Sequence, residues 1–387
     1  MTNRTLLLAL VLACSARPVA SQSLFNAAGL GVPIEALDGK ARALGSFGIG
    51  LRGAAFMPAD PAAIGRLSIA TGVIAGQPSW VDYSSPAGTG ESQGNRFPLL
   101  GIAYPLLSGM MSFQLGSFLD QHFQAESEGS VDLGNGPLDT TDLFDQDGSV
   151  SNLNIGYARM VRPDLAVGLT VGRYAGSVVR ELTRSFGTDT SSGVEDYVER
   201  GTWAYKGYSV TAGVSADLTP AVRVAGSVQL PTGLDAIASE ETGGTDGNFD
   251  LPIQFRVGAS AVLAPGLLVT GSAYLADWSS TEADLNGGGD AGSTNGVGVG
   301  VELSRARLLG KDAPLRFGFR RTGLPFAFDG TGATERTFSG GFGLVLNTTG
   351  GVVLAGSDFA IERGRRSGGG ITENFWRATV SLIVSGF

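Results

Sequence analysis

The stretch "LPIQFRVGASAVL", residues 251–263, sets Ile253, Phe255, Val257, Ala259 and Ala261 against Gln254, Arg256, Gly258 and Ser260. That is a period of two, the signature of a strand whose faces meet different environments. "AVRVAGSVQL" (221–230) repeats the pattern, with Val222, Val224 and Val228 opposed to Arg223, Ser227 and Gln229. "SNLNIGYARM" (151–160) opposes Leu153, Ile155 and Tyr157 to Asn152, Asn154 and Gly156.

From about residue 66 onward the chain is strand after strand. Tight turns rich in Pro, Asp and Gly, such as "VRPDL" (161–165) and "LAPGLL" (263–268), alternate with long polar stretches near 78–97, 121–149, 179–200, 233–250 and 279–292. Short turns at one end and long loops at the other mark a transmembrane barrel of the outer-membrane kind. The alternation predicts 14 antiparallel strands, the first near 66–77 and the last near 371–387. An even count puts both barrel ends on the periplasmic side. Closure satisfies the backbone groups that lipid cannot.

Composition agrees. Glycine supplies 60 of 387 residues, well above the usual ~7%. The start reads as a secretory signal over residues 1–21: Arg4, then "LLLALVLAC", then Val19 and Ser21 before a cut at Gln22. "VLAC" also loosely resembles a lipoprotein box at Cys14, although Leu12 is bulky for one. Cleavage after Ser21 removes the single cysteine, as suits an exported protein that relies on no disulfide. It also removes two of 27 basic residues, leaving 25 against 36 acidic, a net −11. Nucleic acid is not the partner of such a surface.

Residues 22–65 differ from the rest. They are rich in Gly and Ala, weakly alternating, and too short for a core of their own. A 14-strand lumen is too wide for wall side chains to fill, so a compact segment packed inside it is the expectation. Within it, "ARALGSFGIGLRGAAFMPADPAAIGRL" (41–67) resembles the start of the FadL family of outer-membrane transporters. There a glycine-rich stretch leads into an Asn-Pro-Ala element; here the element is Asp60-Pro61-Ala62-Ala63. "SAYLADWSS" (272–280) is similar to that family's Tyr-x-x-Trp-Ser strand end, with one extra residue between Tyr274 and Trp278. "LRFGFRRTGLPF" (315–326) is similar to its Arg-x-Gly strand. Secretion-associated PorV-type barrels share the Asn-Pro-Ala start.

The resemblance implies an N-terminal hatch over 22–65 within a barrel over 66–387. It implies a hinge at Asp60-Pro61-Ala62-Ala63 and a ligand route that leaves sideways through the wall. It implies passive uptake of hydrophobic small molecules such as long-chain fatty acids. The alternative is a PorV-like barrel that docks or assembles secreted proteins.

Chemistry is sparse. His122 is the one histidine, so a Ser-His-acid triad lacks surroundings and His/Cys metal sites fail by count. "DLFDQDGS" (142–149) lacks the order of a calcium loop, and "GVGVGVE" (296–302) alternates as a strand and precedes no helix. No enzyme and no cofactor is expected. Arg223, Arg256, Arg316, Arg320, Asp358 and Glu362 share parity with small or polar neighbours and should face the lumen, bracing the barrel or binding a ligand carboxylate. Glycines 156, 168, 172, 213 and 258 should share that inner face. In the last strand, Trp376, Ala378, Val380, Leu382 and Val384 form the apolar face, with Phe387 on the opposite parity unless Gly386 carries a bulge. Trp376 and Phe387 are the expected signal to the barrel assembly machinery. The other expected partners are outer-membrane lipid and lipopolysaccharide.

Overall fold

The computed structural model describes residues 23–53, 56–132, 136–186, 195–285, 290–308, 311–328, 330–349 and 352–387. The signal-like residues 1–21 lie outside these. Fourteen strands form one closed antiparallel barrel: β1 Thr71–Ser85, β2 Gly88–Leu106, β3 Gly109–Asp120, β4 Pro137–Arg162, β5 Leu165–Phe186, β6 Tyr197–Thr219, β7 Val222–Ala238, β8 Gln254–Ala264, β9 Leu267–Asp277, β10 Ser293–Leu303, β11 Leu315–Phe328, β12 Thr331–Thr349, β13 Val352–Gly368 and β14 Ile371–Ser385. Each pairs with the next, and β14 returns to β1 from Thr71↔Ser385 to Ser84↔Thr372.

The alternation that marks the strands also sorts their faces. Val297 and Val299 of β10, Phe255 and Val257 of β8 and Trp376 and Val380 of β14 are exposed on the outside. Their neighbours in sequence are buried inside. On β10 those neighbours are glycines, and the reason is contact. A Cβ on Gly298 would lie 2.0 Å from the carbonyl oxygen of Gly45, and one on Gly300 would lie 2.3 Å from that of Leu44. Gly258 meets the Ile49 carbonyl oxygen in the same way, at 2.4 Å. The glycine face of the wall is where another backbone lies against it.

That backbone is the N-terminal segment. It is buried along most of its described length, and wall side chains satisfy its polar groups in turn. Ser381 Oγ on β14 accepts from Gly39 N at 3.0 Å, and Ser339 Oγ on β12 donates to the Ala43 carbonyl at 3.1 Å. Ser272 Oγ on β9 accepts from Phe47 N at 3.1 Å. Arg223 and Ser227 on β7 donate to the Leu51 and Ala59 carbonyls. Residues 39–53 and 56–59 thus trace the inner wall from β14 to β7.

Several strand bounds depart from expectation. The first strand starts at Thr71, not near 66, because Pro61–Ile64 forms a helical turn capped by Asp60. The described residues of the stretches 78–97 and 179–200 are largely strand. β1 and β2 meet across Pro86 and Ala87, β5 runs to Phe186, and β6 starts at Tyr197. The stretch 121–149 contains a hairpin arm, Phe123–Asp132 against Pro137–Gln146. Such arms stand above the membrane with water on both faces, so they lack the apolar alternation that reveals a strand. Gly386 has φ +79° and donates its N–H to the Ala70 carbonyl at 2.8 Å. This turns the Phe387 ring onto the outer face, beside Gly72.

Candidate functional site

The wall is interrupted between β2 and β3. β2 and β3 share eight registered pairs, from Leu106↔Gly109 to Leu99↔Gly116. Above these, no ladder pair joins the two strands among the described residues. Pro98 follows the last pair and has no N–H to offer a ladder. There β2 also slips against β1, between Ala75 and Gln77. Two side-chain contacts cross the interruption. Ser117 Oγ donates to the Phe97 carbonyl at 3.3 Å, and Arg96 Nη1 lies 3.6 Å from Asp120 Oδ2.

The free edge of β3 is covered from inside by the N-terminal segment. Val32 and Pro33 pair with Asp120 and Leu119, and Ile34 N donates to the Phe118 carbonyl at 2.8 Å. Ala36 packs so closely on Gly116 that a Cβ there would lie 2.8 Å from its own. Behind this cover is a cavity of about 60 Å³, bounded by Ile34, Ala36, Phe118, Asn154, Tyr274 and Trp278. It holds on the order of four waters.

An apolar cluster surrounds the cavity towards the outer end. Phe118 and Tyr174 lie with ring centroids 4.4 Å apart. Trp278 meets Phe326 edge-on at 5.4 Å, and Tyr274 stacks on Phe47 at 5.9 Å. Residues 272–280 therefore act as a unit: Ser272 holds the segment's backbone, while Tyr274 and Trp278 line the space beside it.

The two sides of the lumen differ in charge. On β4 to β7 the buried polar residues are mostly neutral: Asn152, Asn154, Thr170, Ser209, Thr211 and Ser215. On β10 to β14 they are ionic. Arg316 binds Glu302 at 2.8 Å and also Asp358. Arg320 lies 3.2 Å from Glu362, which also faces Arg42 of the segment at 3.8 Å. Arg366 bridges Glu335 at 2.7 Å and Glu373 at 3.1 Å. Arg377 lies 2.8 Å from Glu335. Glu373 in turn accepts from Leu24 N and Ser23 Oγ. A second cavity, about 50 Å³, touches Arg42, Arg96, Arg320, Glu335, Arg366 and Arg377. Nη1 of Arg320 and Nε of Arg42 and Arg96 have no hydrogen-bond partner, although all three nitrogens are buried.

All six charged residues singled out in the sequence sit inside, but not at one site. Arg316, Arg320, Asp358 and Glu362 share the ionic wall. Arg256 lies across the lumen, 3.3 Å from Glu35 and over the Tyr274 ring. Arg223 sits low, on Asp217 at 2.7 Å. Glu302, Glu335, Arg366, Glu373 and Arg377 were missed, although their parity opposes that of the apolar face and gave a signal. Asp60 is buried and held. Its carboxylate accepts from Gly50 N at 3.1 Å and Ala63 N at 3.2 Å. Pro61 and Ala62 pack on Gly168 and Gly213, where any side chain would collide. Trp376 faces outward beside Trp80.

At the outer end, His122 bridges two carboxylates, with Asp120 at 2.6 Å and Asp147 at 3.0 Å. Burial opposes its protonation, yet the Asp120 hydrogen bond and charge, with Asp147, outweigh burial and raise the imidazole above its ordinary value.

No family model matches the sequence, and no curated protein matches it. Solved structures do match in shape. A FadL homologue of Pseudomonas aeruginosa aligns at TM-score 0.63 and 11% identity, covering 92% of this chain and 99% of that one. The P. putida toluene transporter TodX aligns at 0.55 and 14%, covering 92% and 99%. The Ralstonia pickettii toluene transporter TbuX aligns at 0.50 and 16%, covering 94% and 100%. A closed antiparallel barrel with an apolar outer belt is an outer-membrane structure, and this chain carries the FadL-type barrel fold over most of its length.

Proposed function

We propose that the protein is a passive outer-membrane channel for hydrophobic small molecules, which leave the lumen sideways between β2 and β3. The observation that carries this reading is the interrupted β2–β3 ladder, backed by an aromatic-lined cavity and covered only by residues 32–36. A plugged lumen is a poor path for polar solutes. A side exit delivers an apolar molecule straight into hydrocarbon. The matched structures named as toluene transporters support a hydrophobic ligand, and long-chain fatty acids are a second ligand class to test. On this reading residues 1–21 direct export and the segment from 22 to 65 serves as the hatch. The Asp60-Pro61-Ala62-Ala63 turn is its anchor or hinge, and Trp376 with Phe387 forms the assembly signal.

A cavity sized for a few waters holds no alkyl chain, so the ligand must push residues 32–36 off the β3 edge. The test is uptake of labelled toluene and of a labelled long-chain fatty acid by cells stripped of their own transporters. Uptake of either above the empty-vector rate is expected. Uptake of neither, with the barrel correctly inserted, overturns the channel and favours a docking barrel.

A further inference from the structure

The outer face carries a charge pattern that transport does not use. Arg321 of β11 pairs in register with Arg336 of β12, and Arg336 pairs with Arg365 of β13. All three are exposed, and all three are on the outside. Among the described residues none has an ion-pair partner. Like charges directly opposed across strands repel. Glu335, Glu362 and Glu373, close in sequence to Arg336 and Arg365, are buried on the inner face and already bound. Continuing round the barrel, the same row reads Asn374, Asp82 and Glu91, so the outward acids begin only beyond Asn374.

The height of the row is telling. One pleat nearer the membrane centre, Phe319, Phe338, Arg363, Trp376 and Trp80 lie side by side in register. This is an aromatic girdle of the kind that marks a membrane interface. Arg363 lies over the Trp376 ring at 5.1 Å. On β14, Asn374 stands ten residues from Val384, the last outward apolar residue within the strand. At ~3.4 Å per residue and a ~40° tilt that is roughly 26 Å of height, against an apolar band of about 25 Å. The row lies toward the outer end, because β11 and β12 run on above it to their outer hairpin, where Phe328 pairs with Thr331.

We infer that Arg321, Arg336 and Arg365 form a docking site for the phosphates of an outer-leaflet glycolipid, whose acyl chains lie against the aromatic row below. Guanidinium forks match phosphate oxygens in pairs. Phosphate between the arginines also removes their mutual repulsion. This site is independent of transport.

The test compares wild-type protein with R321Q/R336Q/R365Q, inserted in nanodiscs, for binding of bis-phosphorylated lipid A. R173Q, an outward arginine on β5, is the control. At about 1 kcal/mol per arginine near an anionic surface, the triple variant should bind about a hundredfold more weakly. R173Q should bind as wild type does. Equal binding by the triple variant overturns the site, and so does an equal loss in R173Q. A measurement on the unaltered chain guards against misfolding of the variant. Wild type should discriminate against lipid A stripped of its phosphates and against phosphatidylglycerol. Equal affinity for either overturns the proposal.

Discussion

β14 and β1 hold twelve registered pairs that reach the outer rim, whereas β2 and β3, two strands further on, hold eight and then part. Both seams lie in the same membrane and face the same lumen. The difference is local chemistry. At the closing seam the ladder passes over Gln77 and Pro78 and then resumes, from Ser79↔Arg377 to Ser84↔Thr372. At the open seam Pro98 withdraws a donor, Gly116 withdraws a side chain, and the N-terminal segment supplies Val32 and Pro33 to the edge left over. A gap in a barrel is tolerable only where something else satisfies the backbone.

The sharpest way to test that contrast is to lock each seam. Cysteines at Phe97 and Ser117, which already touch across the gap, should form a disulfide that cuts hydrophobic uptake at least ~10-fold, restored by reductant. Cysteines at Ile74 and Leu382, a registered pair of the closed seam, should leave uptake unchanged. Equal effects at both seams would remove the side exit. A smaller but still large effect is expected from G298V. Its Cβ meets the Gly45 carbonyl oxygen, and backbone cannot yield as a side chain can. The segment should be displaced and the membrane should leak small polar solutes, read by liposome swelling. Liposomes that stay tight would show that the segment does not fill the lumen.

The two walls of the lumen differ as the two seams do. E335Q takes from Arg320, Arg366 and Arg377 the carboxylate they share. Breaking a buried ionic cluster costs about 3–5 kcal/mol, so the urea midpoint should fall clearly. T211V on the neutral wall should move it by less than about half as much. The smallest effect is at the rim. The raised His122 imidazole contributes stability that is fully present below its unfolded pKa of ~6.5. That stability is lost as pH rises through the folded value. Stability should therefore decline by less than about 1 kcal/mol above that point, and H122Q should flatten the profile. An imidazole midpoint below 6.5 by NMR would refute the bridge.

What the sequence shows follows from the same physics. A lipid-facing strand must alternate, so the 14 strands and the inward parity of Arg223, Arg256, Arg316 and Arg320 are legible residue by residue. The arms above the membrane are not, because water on both faces imposes no pattern. Thus 78–97 and 179–200 read as loops. Nor is the gap, since a missing ladder belongs to two strands at once. The ionic ring was half legible: Glu373 and Arg377 stand on the inner parity of β14, but nothing local says that they meet Arg366.

The glycine face of β10 has a consequence for the order of folding. Gly45 lies between β10 and β11 on one side, and Ser23 and Gly39 are tied to β14 on another. A segment gripped from so many directions cannot be threaded into a finished cylinder. It must already lie on the curling sheet when β14 finds β1, so the last seam to zip traps the N-terminal segment inside.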